Sequence, residues 1–219
     1  MRDVTISEEL REKAPDAHLG VLSASVVATE HDEGLWIEID ARVASLETML
    51  AATEIATIPE IAATRRAYKA LGKDPSRYRP SAEALLRRIA QGKGLYRVST
   101  VVDANNLVSL ETFHSIGLYD VRYVSGPVVF RPGRAGESYE GIAKGEINLD
   151  GLPVFADDEG PFGNPSSDSA RTRVREDTTE VLMAIVAFAG AARLDAALAR
   201  AAELLGRYAS ATGVETRVV

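Results

Sequence analysis

A polar segment near the carboxyl end of the chain, SSDSARTRVREDTT at residues 166–179, carries three kinds of group that can hold a small acyl compound. Asp168 supplies a carboxylate, Thr172 a hydroxyl, and Arg171 and Arg173 supply guanidinium groups. Such groups can bind an α-amino group and a carbonyl group through charge-assisted hydrogen bonds. They can equally form a loop closed by its own salt bridges, and the sequence leaves both interpretations open.

A second polar pair, Asp103 and Asn106, lies among apolar residues in the segment VVDANNLVSLE at 101–111. A short carboxylate and a carboxamide in apolar surroundings can orient a water molecule or bind an amino group. The structural alternative is that Asn106 caps a helix while Asp103 pairs with a basic residue.

Residues 65–97 hold much of the positive charge of the chain. This window contains ten Lys or Arg and two acids, so its net charge is +8, whereas the net charge of the whole chain is -7. Tyr68, Tyr78 and Tyr96 are interleaved with these cations, and cations beside stacking rings are typical of nucleic-acid binding. A solvated helix face explains the charge alone equally well. We expect a continuous docking face beside a small cleft, formed by Arg65, Arg66, Lys69, Lys73, Arg77, Arg79, Arg87 and Arg88.

The residues that commonly bind metals are scattered. The chain has no cysteine and three histidines, which lie far apart in the sequence. The adjacent acids Asp157 and Asp158 would point to opposite faces of a strand, so a turn at the end of a strand explains them better than a shared magnesium ion. We expect neither a metal nor a cofactor.

The composition is that of a globular protein, with 46% apolar and 26% charged residues in 219. No signal peptide is recognisable at the N-terminus. The longest uncharged apolar stretch, residues 181–192, is shorter than the roughly 18 residues of a spanning helix. We therefore expect a cytoplasmic protein with no membrane partner.

Hydrophobic periodicity and turn residues predict helices in the first hundred residues and strands after Leu95. This order favours an α+β fold in one unit, residues 1–219. Helices are predicted at 7–14, in the second half of 35–56, at 59–72, at 81–92 with Ser81 as the cap, and at 194–208. Strands are predicted at 19–29, 121–124, 127–131 and 152–156.

Four separated segments resemble the tRNA-binding and editing module of the phenylalanyl-tRNA synthetase beta subunit, and more closely the free-standing versions of that module. They occur in the order of the family between about residues 58 and 208. The segments are YKALGKDPSRYRPSAEALLRR (68–88), VVDANNLVSLE (101–111), FADDEGP (155–161) and REDTTEVL (175–182).

The resemblance implies helices packed around mixed β-sheets with a sandwich-like core. In the synthetase the module hydrolyses tyrosine wrongly esterified to phenylalanine tRNA. The implied partner is tRNA or aminoacyl-tRNA, and no DNA partner is implied. Nothing in the chain resembles the aminoacylation domain, so ligation of amino acid to tRNA is not expected.

The resemblance also assigns candidate site residues. Asp103 and Asn106 fall on positions that the family fills with Asp and Asn, and Asp168 can serve in place of a family glutamate; with Thr172 they are the catalytic candidates. Substrate-binding candidates are Ser109, Gly117, Arg171 and Arg173. Gly117 stands where the family has a histidine, and His114 lies three residues earlier.

Three functions follow as expectations. The chain is a hydrolase acting in trans on mischarged tRNA, a non-catalytic RNA-binding module, or a binder of a free amino acid or related small molecule. The third function would need a pocket but no basic segment.

Overall fold

The computed structural model describes residues 1–219, which form six α-helices, two short 3-10 helices and three β-sheets. The predicted α+β class, with helices around mixed sheets, is confirmed. The helices are α1 (Glu8–Lys13), α2 (Glu33–Leu50), α3 (Pro59–Ala70), α4 (Ser81–Ala90), α5 (Thr100–Thr112) and α6 (Leu194–Tyr208). The strands are β1 (Val4–Ile6), β2 (His18–Ser25), β3 (Ser115–Asp120), β4 (Val128–Pro132), β5 (Ser138–Gly141), β6 (Gly145–Asn148), β7 (Pro153–Asp157), β8 (Gly160–Gly163), β9 (Glu180–Ala187) and β10 (Thr212–Val218).

The central sheet is antiparallel, in the order β10-β2-β9-β3, and β9 is buried on both faces. Leu182 and Ala184 of β9 point into one core, and Met183 and Ile185 point into the other. A strand buried on both faces needs apolar residues at every position, which explains the unbroken apolar run at 181–187.

The two cores give the molecule three layers. Helices α2, α5 and α6 cover one face of the central sheet. A mixed sheet, in the order β1-β4-β7-β8 with β1 parallel to β4, packs on the other face together with α1 and α3. A smaller helical core joins α2, α3, α4 and α5, and the hairpin β5-β6 forms the third sheet. No helix is both long and apolar enough to cross a membrane.

Several predicted element boundaries are confirmed. Helix α3 begins at Pro59, helix α6 covers 194–208, and Gly72 ends its helix in the left-handed region with φ +78. The strands predicted at 127–131 and 152–156 are β4 and β7, each shifted by one residue.

Three element predictions are wrong. Residues 100–112 form a helix rather than continuing a β-like pattern, because Ser99 caps it through Val102 N and because burial on several sides hides its helical periodicity. Residues 121–123 form a 3-10 turn, in which the Asp120 side chain accepts from Arg122 N. Helix α4 begins after Pro80, and Ser81 makes no side-chain cap.

Tyr119 of β3 makes a close approach to two glycines in the core. Its fully buried ring packs edge-on against Phe162, and its hydroxyl passes between Gly117 and Gly163. A Cβ atom at Gly117 would lie 2.0 Å from the Tyr119 hydroxyl oxygen, and one at Gly163 would lie 2.3 Å from it. Both positions must therefore be glycine for Tyr119 to occupy this slot.

Substitution of Gly117 by Ala tests this constraint. We expect Gly117→Ala to lower the free energy of unfolding by about 1–3 kcal/mol, because the core must shift to relieve the overlap. The matched control is Gly206→Ala in α6, where a Cβ atom meets nothing within 4 Å. There we expect a gain of about 1 kcal/mol from helix propensity. Urea denaturation of both variants measures the difference, and equal effects would contradict the constraint.

Candidate functional site

A cavity of about 430 Å³ opens between α4, α5, β3 and the loop that follows β8. Its walls are mostly apolar, with side chains from each of these elements. The polar side chains that line it are Ser81, Asn105, Asn106, Ser109, Lys144, Ser166, Asp168 and Arg173. Four of the residues predicted from the sequence thus meet in one place: Asn106, Ser109, Asp168 and Arg173.

Helix α5 supplies one wall of the cavity. Val102, Asn105, Asn106 and Ser109 recur at spacings of three and four residues, which places them on one helix face. The half-buried side chain of Asn106 makes no hydrogen bond within the protein and is free to bind a ligand or water. The Ser109 hydroxyl donates to the His114 carbonyl oxygen at 2.7 Å, so it mainly secures the end of the helix.

Asp168 lies on the opposite wall, in the loop after β8. Its backbone oxygen accepts from Ile142 N, which joins this loop to the β5-β6 turn. Its carboxylate accepts from the hydroxyl of Tyr119 at 3.1 Å. Because Tyr119 is held between Gly117 and Gly163, its hydroxyl is positioned to orient the carboxylate of Asp168.

The surroundings of Asp168 change its acidity. Burial raises the pKa of Asp168 to about 7, although the hydrogen bond from Tyr119 and backbone hydrogen bonds act in the opposite direction. Burial and the neighbouring Asp168 raise the pKa of Tyr119 well above its usual value, so Tyr119 remains a donor at neutral pH. A carboxyl group that titrates near neutrality can accept or release a proton under physiological conditions.

Two cations lie at the more exposed rim of the cavity. Lys144, in the β5-β6 turn, donates from Nζ to the Ser166 carbonyl oxygen at 3.2 Å. Arg173 is exposed and forms no ion pair. The rim is therefore positively charged, whereas the most buried lining residues are the uncharged Asn105, Ser109, Ile116 and Leu118.

Asp103, predicted as catalytic, lies outside the cavity. It is buried and accepts from Trp36 Nε1 at 3.0 Å and from Val98 N at 3.1 Å. Burial raises the pKa of Asp103. Asn106 does not cap a helix, because it lies in the middle of α5. Asp103 has no basic partner, because its side-chain partner is Trp36.

The other predicted site residues also lie away from the cavity. Thr172 is fully buried, and its hydroxyl donates to the Phe162 carbonyl oxygen. Arg171 binds Asp157 at 2.8 Å and Glu159 at 3.2 Å. These contacts match one of the two interpretations of the sequence, a loop closed by its own salt bridges. Gly117 is covered by Tyr119.

His114 does not take the place of the family histidine. It is buried outside the cavity lining, and burial lowers its pKa. Asp157 ends β7, where its pairing with Arg171 fits the predicted turn. The structure contains no group of three or more acids or histidines arranged to hold a metal ion.

The basic segment is not the continuous docking face expected from the sequence. Arg65 and Arg87 both bind the fully buried Glu83, at 2.9 Å each. Lys73 lies 3.9 Å from Asp150. The guanidinium of Arg88 stacks on Tyr96, 3.7 Å from the ring centre.

The remaining four predicted cations are exposed and form no ion pair, but they occupy two different places. Arg66 lines a shallow concavity beside α1, and Lys69 lies on the same helix, α3. Arg77 and Arg79 line a groove of about 570 Å³ that also contains Lys144 and Ser166. Because Lys144 and Ser166 line the cavity as well, the groove leads directly into it.

Sequence reasoning missed Asn105, Tyr119 and Lys144. The one available signal was the spacing of Asn105 and Ser109, which share a face once residues 100–112 are read as a helix. Nothing local marks Tyr119 or Lys144, because their roles depend on contacts with a loop that is distant in the sequence.

Comparison with known proteins gives one family match. A model of the B3/4 domain family matches residues 63–210. A crystal structure of an N-terminal fragment of the phenylalanyl-tRNA synthetase beta-subunit from Pyrococcus horikoshii is similar with a TM-score of 0.49 and 15% sequence identity. The match covers 98% of this chain and 50% of that fragment, so the chain spans about half its length. No curated protein matches the chain.

Replacing Asp168 by Asn tests the state of the cavity carboxyl group. Because its pKa is raised in the folded protein, wild type loses stability as pH rises from about 4, the unfolded pKa, through about 7. Asparagine carries no charge, so Asp168→Asn should gain stability relative to wild type between pH 5 and pH 8. Urea unfolding at both pH values measures this gain. A stability difference between the two proteins that is independent of pH would contradict a raised pKa of Asp168 in the folded protein.

Proposed function

The chain belongs to the B3/4 domain family, and on that premise we propose that it hydrolyses the ester of a mischarged aminoacyl-tRNA in trans. The observation that carries the proposal is the convergence of Asp168 and Asn106 on an apolar cavity that opens into a cationic groove. Since aminoacyl-tRNA is a cytoplasmic substrate, we also propose that the chain acts in the cytoplasm.

The cavity suits an acyl group. Its apolar walls, from Leu85, Val102 and Ile116 among others, can hold an amino-acid side chain, while polar groups face the reacting end. An aminoacyl ester is already activated, so the site mainly has to position the carbonyl group and one water molecule. No covalent nucleophile is required.

In the proposed reaction Asp168, in its ionised form, accepts a proton from a water molecule that Asn106 helps to orient. The water oxygen forms a bond to the carbonyl carbon, and the bond from that carbon to the ribose oxygen breaks. The proton held by Asp168 passes to the ribose oxygen, which leaves as a hydroxyl group. Tyr119 acts through Asp168 as a positioning residue, since its hydroxyl binds the carboxylate from the protein side.

The tRNA end is proposed to approach along the groove. Arg77 and Arg79 are exposed and unpaired there, and Lys144 lies where the groove meets the cavity. Cations along a groove can bind successive phosphates of a single strand. This arrangement uses two of the eight predicted tRNA-binding cations directly.

The ion-paired cations of the basic segment favour a second candidate function. Arg65 and Arg87 are committed to Glu83, so the protein offers a smaller nucleic-acid surface than its sequence suggests. A binder of a free amino acid needs only the cavity. This second function predicts binding of free amino acids and no hydrolysis of aminoacyl-tRNA.

Deacylation assays with tRNA charged with tyrosine, meta-tyrosine and other amino acids test the proposal directly. We expect turnover of at least one ester, and a loss of about 10²–10⁴-fold in Asp168→Asn because the proton acceptor is removed. No turnover above the uncatalysed rate with any ester would exclude the hydrolase.

The pH dependence of the deacylation rate in Tyr119→Phe tests whether Tyr119 acts through Asp168. The hydrogen bond from Tyr119 lowers the pKa of Asp168, so its removal should move the rising limb of the rate to higher pH. A lower rate with an unshifted profile would assign Tyr119 a purely structural role.

The groove is tested by the salt dependence of tRNA binding. Replacing Arg77 and Arg79 by Ala should weaken binding and flatten the slope of log affinity against log salt by about 0.7 for each lost phosphate contact. The control with the same change of charge is Arg66→Ala with Lys69→Ala, on α3 away from the groove. Equal effects in both double variants would contradict the proposed path.

A further inference from the structure

Strand β10 forms one edge of the central sheet, and its backbone is unpaired on the outer side. It pairs with β2 alone. Val219 and Leu19 exchange backbone hydrogen bonds in both directions, and such bonded pairs alternate along an antiparallel ladder. Every second residue of β10 therefore directs its N–H and C=O away from the sheet. These residues are Val214, Thr216 and Val218.

The other edges of the two four-stranded sheets are short or covered, whereas β10 is neither. Strand β1 has three residues, and β8 has four including Pro161. Strand β3 is buried along its whole length, and Tyr119 bridges to Arg173 on its outer side. Strand β10 has seven residues, of which all but the last are exposed, and it contains neither proline nor lysine. An edge without such protection is a template for another strand.

We propose that β10 pairs with β10 of a second copy of this chain, antiparallel about a two-fold axis at Thr216. In this register the outward backbone groups of the two strands meet, and Thr216 bonds to Thr216 of the second copy. Because a two-fold interface repeats every contact, Glu215 lies opposite Arg217 of the second copy on both sides of the axis.

The charges favour this register over its neighbours. An axis at Glu215 or at Arg217 also brings outward backbone groups together, but it places two like charges directly opposite each other. Like charges in this position are destabilising, whereas an opposite pair is stabilising. Strand β10 is regular over the residues concerned, because its register shift lies between Thr212 and Glu215.

The two charged side chains are accessible to a second copy. The side chain of Glu215 is 58% exposed, and that of Arg217 is 42% exposed. Glu215 contacts the amino group of Met1 within the chain. Arg217 donates to the Val4 carbonyl oxygen at 2.9 Å and lies 3.5 Å from Asp3. Exposed ion pairs contribute little to affinity, so these charges specify the register while the backbone hydrogen bonds provide the attachment.

The opposite face of the strand provides apolar contact. Val214 is 37% exposed, and Val218 packs at the border of the core under α6. The axis at Thr216 places Val214 opposite Val218 of the second copy. The two four-stranded sheets then form one continuous sheet with β3 at each end. Since the cavity lies beside β3, both cavities of the dimer remain open.

Sedimentation velocity of the full chain over a range of concentrations tests the proposal. We expect monomer at about 1 µM and mostly dimer at about 500 µM, because a pair of strands is a small interface. Monomer at every concentration in this range would overturn the proposal.

Reversal of charge tests the register. Glu215→Lys and Arg217→Glu should each weaken the dimer by at least about tenfold, because each places like charges opposite each other on both sides of the axis. An equimolar mixture of the two variants should form a dimer again, because every charge then meets its opposite. Glu47→Lys, on the exposed side of α2, makes the same change of charge and should leave the dimer unchanged.

Thr216→Pro tests the backbone hydrogen bonds. It removes the donor at the axis but none of the donors that bind β2, so it should abolish the dimer. Unfolding in urea establishes that each variant is folded. A dimer that resists all three changes overturns the pairing through β10. A mixture of folded Glu215→Lys and Arg217→Glu chains that stays monomeric overturns the register.

Discussion

The placement of Tyr119 between Gly117 and Gly163 is the constraint on which the site depends. The ring can occupy this slot only because neither neighbour has a Cβ atom. Its hydroxyl then reaches the loop after β8 and holds Asp168 on the cavity wall. A larger side chain at position 117 is incompatible with Tyr119 in this position. The glycine and the tyrosine are therefore two parts of one arrangement.

A second constraint, the buried carboxylate of Glu83, determines which surface arginines are free to bind a nucleic acid. Glu83 of α4 is fully buried, and a buried charge is strongly unfavourable without a partner. Arg65 from α3 and Arg87 from α4 both supply that partner, and the Arg65 ion pair joins the two helices. If both arginines moved to bind phosphates, the buried carboxylate of Glu83 would be left without a counter-charge. Positive charge in the sequence is for this reason a poor measure of the charge available to a nucleic acid.

Much of the architecture could be predicted from the sequence, and the exceptions have a physical reason. Helix α6 has one buried face, so its apolar residues recur at helical spacing and its bounds are correct. Helix α5 is buried on several sides and contains several β-branched residues, so its periodicity is weak and it reads as β-like. This error separated Asn105 from Asn106 and Ser109, with which it shares a face. The same error left the inner wall of the cavity unrecognised.

By itself the sequence determined the α+β class, the family and most of the segments that carry polar site residues, because these depend on local patterns of residue type and spacing. Only the tertiary structure decided which of those residues meet. It brought Asn106 and Asp168 to one cavity and committed Asp103 to Trp36 and Arg171 to Asp157. The choice of partner depends on packing between residues far apart in the chain, and no local pattern records it.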